Sequence, residues 1–177
     1  MTETHRIQIG SVTRDLPIRE VAPGVSVALF DMLGDWELAE AAGKKLAFLT
    51  PLDVDALVMP DGKATALLHV MGRTIEIPIF VARKEKKPYM KAPLTSVSVK
   101  SITTDSIQTL CIGADTAEKL RGKKVAIVDD VVSSGGTLIA MKKLLNEVEA
   151  IHVATMAIFT EGDQRDDVIT LRHIPLF

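Results

Sequence analysis

One stretch limits the folds open to this chain more than any other: Val125-Ala126-Ile127-Val128-Asp129-Asp130-Val131-Val132-Ser133-Ser134-Gly135-Gly136-Thr137. Its first four residues are β-branched or small and suit a strand covered on both faces, the kind found in parallel sheets. Asp129 and Asp130 then fall at the C-terminal end of that strand, where open α/β sheets bind their ligands. Ser133 to Thr137 carries little side-chain bulk, so its backbone N–H groups and the start of a following helix can wrap an anion. An ionised carboxylate only accepts hydrogen bonds, so two of them beside an anion cradle match the hydroxyls of a phosphorylated polyol such as ribose 5-phosphate.

The rest of the chain has the rhythm of an α/β domain. Residues 1–34 are strand and turn, with Arg6-Ile7-Gln8-Ile9 alternating, turns at Pro17 and Pro23-Gly24, and an apolar run from Val25 to Phe30. A helix is predicted from an N-cap at Asp35 to Phe48, with Leu38, Ala42 and Leu46 on one face. Asp55–Met59 reads as a buried strand, Ala64–Met71 as a helix stopped by Gly72, and Ile77–Ala82 as a strand. Lys84 to Ser106, rich in Lys, Pro, Thr and Ser, reads as a long mobile ribbon rather than a core element. Beyond it are predicted a strand at Thr109–Ile112, a helix at Asp115–Leu120 closed by Gly122, the strand described above, a helix at Gly136–Glu147, and strands at Ile151–Phe159 and Val168–Leu171. Strands alternating with helices predict a mostly parallel sheet.

The 177 residues, 47% hydrophobic and 25% charged, suit one globular domain. A net charge of −2 argues against nucleic acid or a membrane surface as the main partner. No run reaches transmembrane length and the first residues lack a signal-peptide core, so the expected location is cytoplasmic. The single Cys111 sits in the apolar run Leu110-Cys111-Ile112 and reads as a buried hydrophobe rather than a nucleophile. His5, His69, His152 and His173 show no metal-ligand spacing, so no protein-built metal site is expected.

Residues 125–137 resemble the phosphoribosyl-diphosphate motif of type I phosphoribosyltransferases. The resemblance implies that Asp129 and Asp130 hold the ribose hydroxyls and that Val131, Val132, Ser133, Ser134, Gly135, Gly136 and Thr137 form the 5′-phosphate loop. Met59-Pro60-Asp61-Gly62-Lys63-Ala64-Thr65 is similar to the family's diphosphate loop, with Asp61 where Glu is usual and Ala64 where Gly is usual. Asp61, Gly62 and Lys63 are its candidate contacts; read alone, the segment is equally a Pro-Asp-Gly turn with a capping Asp. The cluster Arg83-Lys84-Glu85-Lys86-Lys87-Pro88 resembles a stretch that precedes the catalytic loop in purine members, making Arg83, Lys84 and Lys87 candidates to stabilise departing diphosphate.

In length and layout the chain resembles the adenine phosphoribosyltransferases. They place Glu-Tyr-Gly where this chain has Thr104-Asp105-Ser106, so Asp105 is the candidate replacement acid within a flexible loop at 84–106. Residues 1–34 would form a base-reading hood. The backbone of Val25 and Val27, a stacking Phe30, and Glu161 after the penultimate strand are the base-side candidates, although core packing is the commoner role for a Phe. The implied reaction transfers ribose 5-phosphate from phosphoribosyl diphosphate to a purine, adenine or alternatively hypoxanthine or xanthine, with Mg²⁺ carried by the phosphates. A homodimer is implied as well. Ser96-Val97-Ser98-Val99 followed by Ser106-Ile107-Gln108-Thr109 is also similar to a purine-operon regulator that keeps this fold as a ligand-sensing domain. A non-catalytic sensor is therefore the alternative expectation.

Overall fold

A computed structural model of the protein describes residues 3–100 and 107–177. Five strands, β4 (Ala56–Pro60), β5 (Ile79–Ala82), β8 (Lys124–Val132), β9 (Ile151–Glu161) and β10 (Ile169–Ile174), form one sheet in the order β10-β9-β8-β4-β5. Every neighbouring pair in it is parallel. A three-stranded antiparallel sheet, β1 (Thr4–Ile9), β2 (Val12–Ala22) and β3 (Val25–Ala28), precedes it. β6 (Leu94–Lys100) and β7 (Ile107–Gly113) form an antiparallel pair.

The central strands are apolar on both sides, and alternate residues enter different cores. Leu57 and Met59 of β4 and Ala126 and Val128 of β8 face one core, with α1 (Trp36–Leu49), α2 (Thr65–Ile75) and the inner residues of the N-terminal sheet, Ile7, Ile9, Leu16 and Ala28. Ala56, Val58, Val125 and Ile127 face the other, with α3 (Ala114–Leu120), α4 (Gly136–Glu147) and the buried side of β6 and β7. The predicted doubly covered sheet follows from this pattern. The N-terminal strands share the α1–α2 core, so they are part of the same packed body.

Two expectations need correction. Residues 94–100 are not free of the core: Val99, Leu110 and Ile112 are buried beneath α4, with Val97 packed against them. The alternation Ser96-Val97-Ser98-Val99 gives β6 one apolar face, and burying it is worth more than leaving the polar connection loose. Nor does Gly72 stop α2, which continues to Ile75 and ends at Glu76 in the left-handed conformation. A Cβ on Gly72 would lie 2.3 Å from Ile79 Cγ2, so the glycine serves close approach of α2 to β5. Asp35 caps α1 as predicted, its carboxylate accepting from Leu38 N, while Arg14 forks onto the same carboxylate.

Candidate functional site

The sheet order fixes where a ligand can enter. From β4 the chain moves outward to β5, then returns to the other side of β4 as β8 and continues to β9 and β10. The helices after β4 and β8 consequently lie on opposite faces, α2 in one core and α4 in the other. β4 and β8 pair only through Ala56–Val125, Leu57–Ala126 and Val58–Ile127. Beyond that register Met59-Pro60 and Val128-Asp129 diverge, opening a crevice at the topological switch point.

A cavity of about 460 Å³ fills this crevice, lined by Asp61, Gly62, Lys63, Lys84, Asp129, Asp130, Val131 and Thr137 among others. A smaller one of about 180 Å³ adjoins it, sharing Asp129 and enclosed by Val131 to Thr137. The structure thus brings together most of the phosphate- and ribose-binding residues predicted from sequence. Gly135 precedes α4 in the left-handed conformation at φ 80°, and no side chain caps that helix. Its first turn is therefore presented toward the small cavity, an arrangement that suits an anion.

Asp129 is held well above the usual carboxylate range, first by burial and then by the charge of neighbouring Asp130, while the positive charge of Lys84 acts in the opposite direction. The Asp130 N–H donates to Asp129 Oδ1 at 2.9 Å, fixing that side chain. Asp129 and Asp130, crowded together at one strand end and lining the crevice, are of the chemistry that hydrogen-bonds a diol.

At the second loop, Asp61 N donates to Ala82 O at 2.7 Å, and its carboxylate lies 3.4 Å from Arg83 Nη1. Asp61 does not cap α2, which has no side-chain cap. Ala64 raises no obstacle: its φ is −75° and it is buried in the α1–α2 core, so its methyl group faces away from the loop's ligand side. Lys63 pairs with Asp31 at 3.3 Å, and Lys87 pairs with Glu85. Lys84 alone of Arg83, Lys84 and Lys87 lines the large cavity.

On the base side the placements differ from expectation. Phe30 is buried and packs edge-on to Phe159, with ring centres 4.8 Å apart, so its ring is a core element and offers no open stacking face. Val25 and Val27 register with β2, and the backbone of Ser26 between them is taken by Phe177 in two hydrogen bonds of 2.9 and 2.8 Å. Phe177 therefore covers the edge of β3 at Ser26, while Val25 and Val27, the predicted base readers, are paired with β2. Glu161, at the end of β9, is raised above its usual value by burial. Asp105 lies outside the described residues. Cys111 is buried, and burial pushes its thiol up, which fits a packing role.

The phosphoribosyl transferase domain model matches residues 30–172, which span both loops and the paired acids. The chain belongs to that family. Its fold is also that of solved phosphoribosyltransferases: adenine phosphoribosyltransferase from Thermoanaerobacter pseudethanolicus superposes with a TM-score of 0.67 at 19% identity, covering 97% of this chain and 95% of that one. The Saccharomyces cerevisiae adenine phosphoribosyltransferase, complexed with an imino-altritol bisphosphate and adenine, gives 0.62 at 16% identity, covering 96% and 94%. Among curated relatives, the purine biosynthesis repressor PurR of Bacillus subtilis is 26% identical over 88% of this chain and 54% of its own length. The adenine phosphoribosyltransferase of Corynebacterium jeikeium is 29% identical over 71% of this chain and 58% of its own. This phosphoribosyl transferase domain thus spans between half and two thirds of the length of these curated relatives.

Among the described residues no group of three or more His, Cys, Asp or Glu could hold a metal. Asp129 and Asp130 are hard oxygen donors facing the crevice, a set that fits Mg²⁺ bound chiefly by ligand oxygens and water. No helix among the described residues is long and apolar enough to cross a membrane.

Proposed function

We propose that the chain is a purine phosphoribosyltransferase, moving ribose 5-phosphate from phosphoribosyl diphosphate to a purine nitrogen and releasing diphosphate. The observation that carries this reading is the seating of Asp129 and Asp130 between two anion loops, 61–63 and 133–137, in one crevice. The carboxylates would hold the 2′- and 3′-hydroxyls and the 133–137 loop the 5′-phosphate. Gly62 and Lys63 would take the diphosphate through backbone N–H groups and charge. Lys84, already facing the crevice, would stabilise charge building on the leaving diphosphate, and Arg83 and Lys87 would join it by exchanging their carboxylate partners. Mg²⁺, when bound, would offset the diphosphate charge. No side chain need attack the sugar; positioning and charge stabilisation supply the rate.

The reading includes a cytoplasmic homodimer, in which a cation of the 83–87 cluster reaches the partner's site, and Asp105 as the loop acid. Adenine is the first candidate base, on the likeness to adenine phosphoribosyltransferases. The expected outcome is diphosphate release in the presence of Mg²⁺, phosphoribosyl diphosphate and one base of a panel of adenine, hypoxanthine, guanine, xanthine, uracil and orotate, with activity confined to dimer-sized fractions by light scattering.

A ligand sensor is the second reading, favoured by the match to PurR across most of the chain and by the pairing of Lys63 with Asp31 and Arg83 with Asp61. Tight binding of phosphoribosyl diphosphate with a silent base panel would establish it and remove the enzyme.

A further inference from the structure

The 5′-phosphate loop has a neighbour that no motif names. β8 and β9 run parallel with Val132 opposite Thr160, so the loop after β8 and the turn after β9 emerge side by side. From that turn Arg165 reaches back across the loop, with Nη1 3.4 Å from Ser133 O. Its guanidinium occupies the space a side chain at Gly135 would need: a Cβ there would lie 2.6 Å from Nη1 and 3.3 Å from both Cζ and Nη2.

Arg165 is itself held in place. Asp167 accepts from Nε and from Nη2, each at 3.0 Å, and also lies 3.6 Å from Lys142 Nζ on α4. With Nε and Nη2 committed to that fork, Nη1 is the edge turned toward the loop. A bidentate carboxylate fixes the guanidinium plane far better than it would fix an ammonium. The result is a chain, Lys142–Asp167–Arg165–Ser133, that ties the loop's first residue to the helix following it.

We infer that Arg165 is a positioning residue for 5′-phosphate recognition. It holds Ser133 to Gly135 in the shape that directs backbone N–H groups at the anion, and it places a positive charge behind that loop. This rests on the proposed ribose-phosphate site, and it assigns a second reason for glycine at 135: the left-handed backbone, and room for a flat cation. The effect is confined to the 5′-phosphate end, since the 61–63 loop leaves β4, two strands away from β9 in the sheet.

The test is calorimetric titration of ribose 5-phosphate and, separately, inorganic diphosphate into the wild-type chain, R165Q, R165K and D167N, with thermal melting of each. The expected result is a loss of about tenfold or more in ribose 5-phosphate affinity for R165Q, with smaller losses for R165K and D167N, while diphosphate affinity and melting temperature stay as in wild type. R165K, which keeps the charge without the fork, decides the matter should R165Q not fold. Wild-type ribose 5-phosphate affinity in the folded variants overturns this inference alone, as does an equal loss for both ligands. No ribose 5-phosphate binding by the wild-type chain overturns the underlying site as well.

Discussion

Asp129 shows how one side chain can be costly to the fold and still be kept in the lining of the crevice. Its value is raised in the folded chain, so between the ordinary aspartate range near 4 and its own raised value the unfolded chain is the more ionised. Stability from this group therefore falls as pH rises through that window. Asp129→Asn removes the titration, and its melting temperature should exceed that of the wild type by a few degrees at pH 8, with the gap closing toward pH 4; each kcal/mol is worth about 2–4 °C for a chain of this size. Equal melting curves at both pH values would show that the carboxylate is not strained. The paired acids were legible in the sequence because strand, carboxylates and loop are contiguous from 125 to 137. Arg165 was not, since its role comes from a contact between residues 32 positions apart, in two loops that the β8–β9 register brings side by side. Phe30 and Phe159 are likewise distant in sequence, and which apolar ring stays open to a base depends on what packs against it.

Elements were legible where one periodicity ruled. α4 occupies Gly136–Glu147 as predicted, because its apolar stripe and the small-residue loop before it agree. α2 was cut short because glycine usually ends a helix, whereas Gly72 is retained by packing against Ile79. Opposed terms act at this position: alanine gains up to about 1 kcal/mol of helix propensity, and overpacking costs about 1–3 kcal/mol. Gly72→Ala is thus expected to destabilise the wild-type background by about 1–2 kcal/mol in denaturant melts, and to cost less when Ile79 is also changed to Ala, the 3.2 Å approach to the Ile77 carbonyl remaining. Additive effects of the two substitutions would remove the close-approach explanation. β6 was read as ribbon because its polar outer residues dominate its composition; only its pairing with β7 reveals that Val97 and Val99 share a buried face. The connection between β3 and α1 carries a contact invisible in sequence, Asp31 to Lys63, which joins the N-terminal region to the second anion loop.

Topology turns these parts into a site. The alternation of strands and helices announced a parallel sheet, but the order β10-β9-β8-β4-β5 is what places α2 and α4 on opposite faces and separates β4 from β8 beyond Val58 and Ile127. The crevice so formed receives the Asp61–Lys63 loop from one strand and Asp129 through Thr137 from the other. The base side was the least legible region, because it depends on contacts between segments distant in sequence: Phe30 packs on Phe159, and Phe177 is bound to the Ser26 backbone. The most direct measurement is a calorimetric titration of phosphoribosyl diphosphate with Mg²⁺ into the wild-type chain and into D129N/D130N. Each charge-assisted hydrogen bond lost costs about 1.5–3 kcal/mol, so saturable wild-type binding should weaken by about 100-fold or more in the folded double variant. Undiminished affinity in that variant would contradict the assignment of the crevice as the ribose-phosphate site.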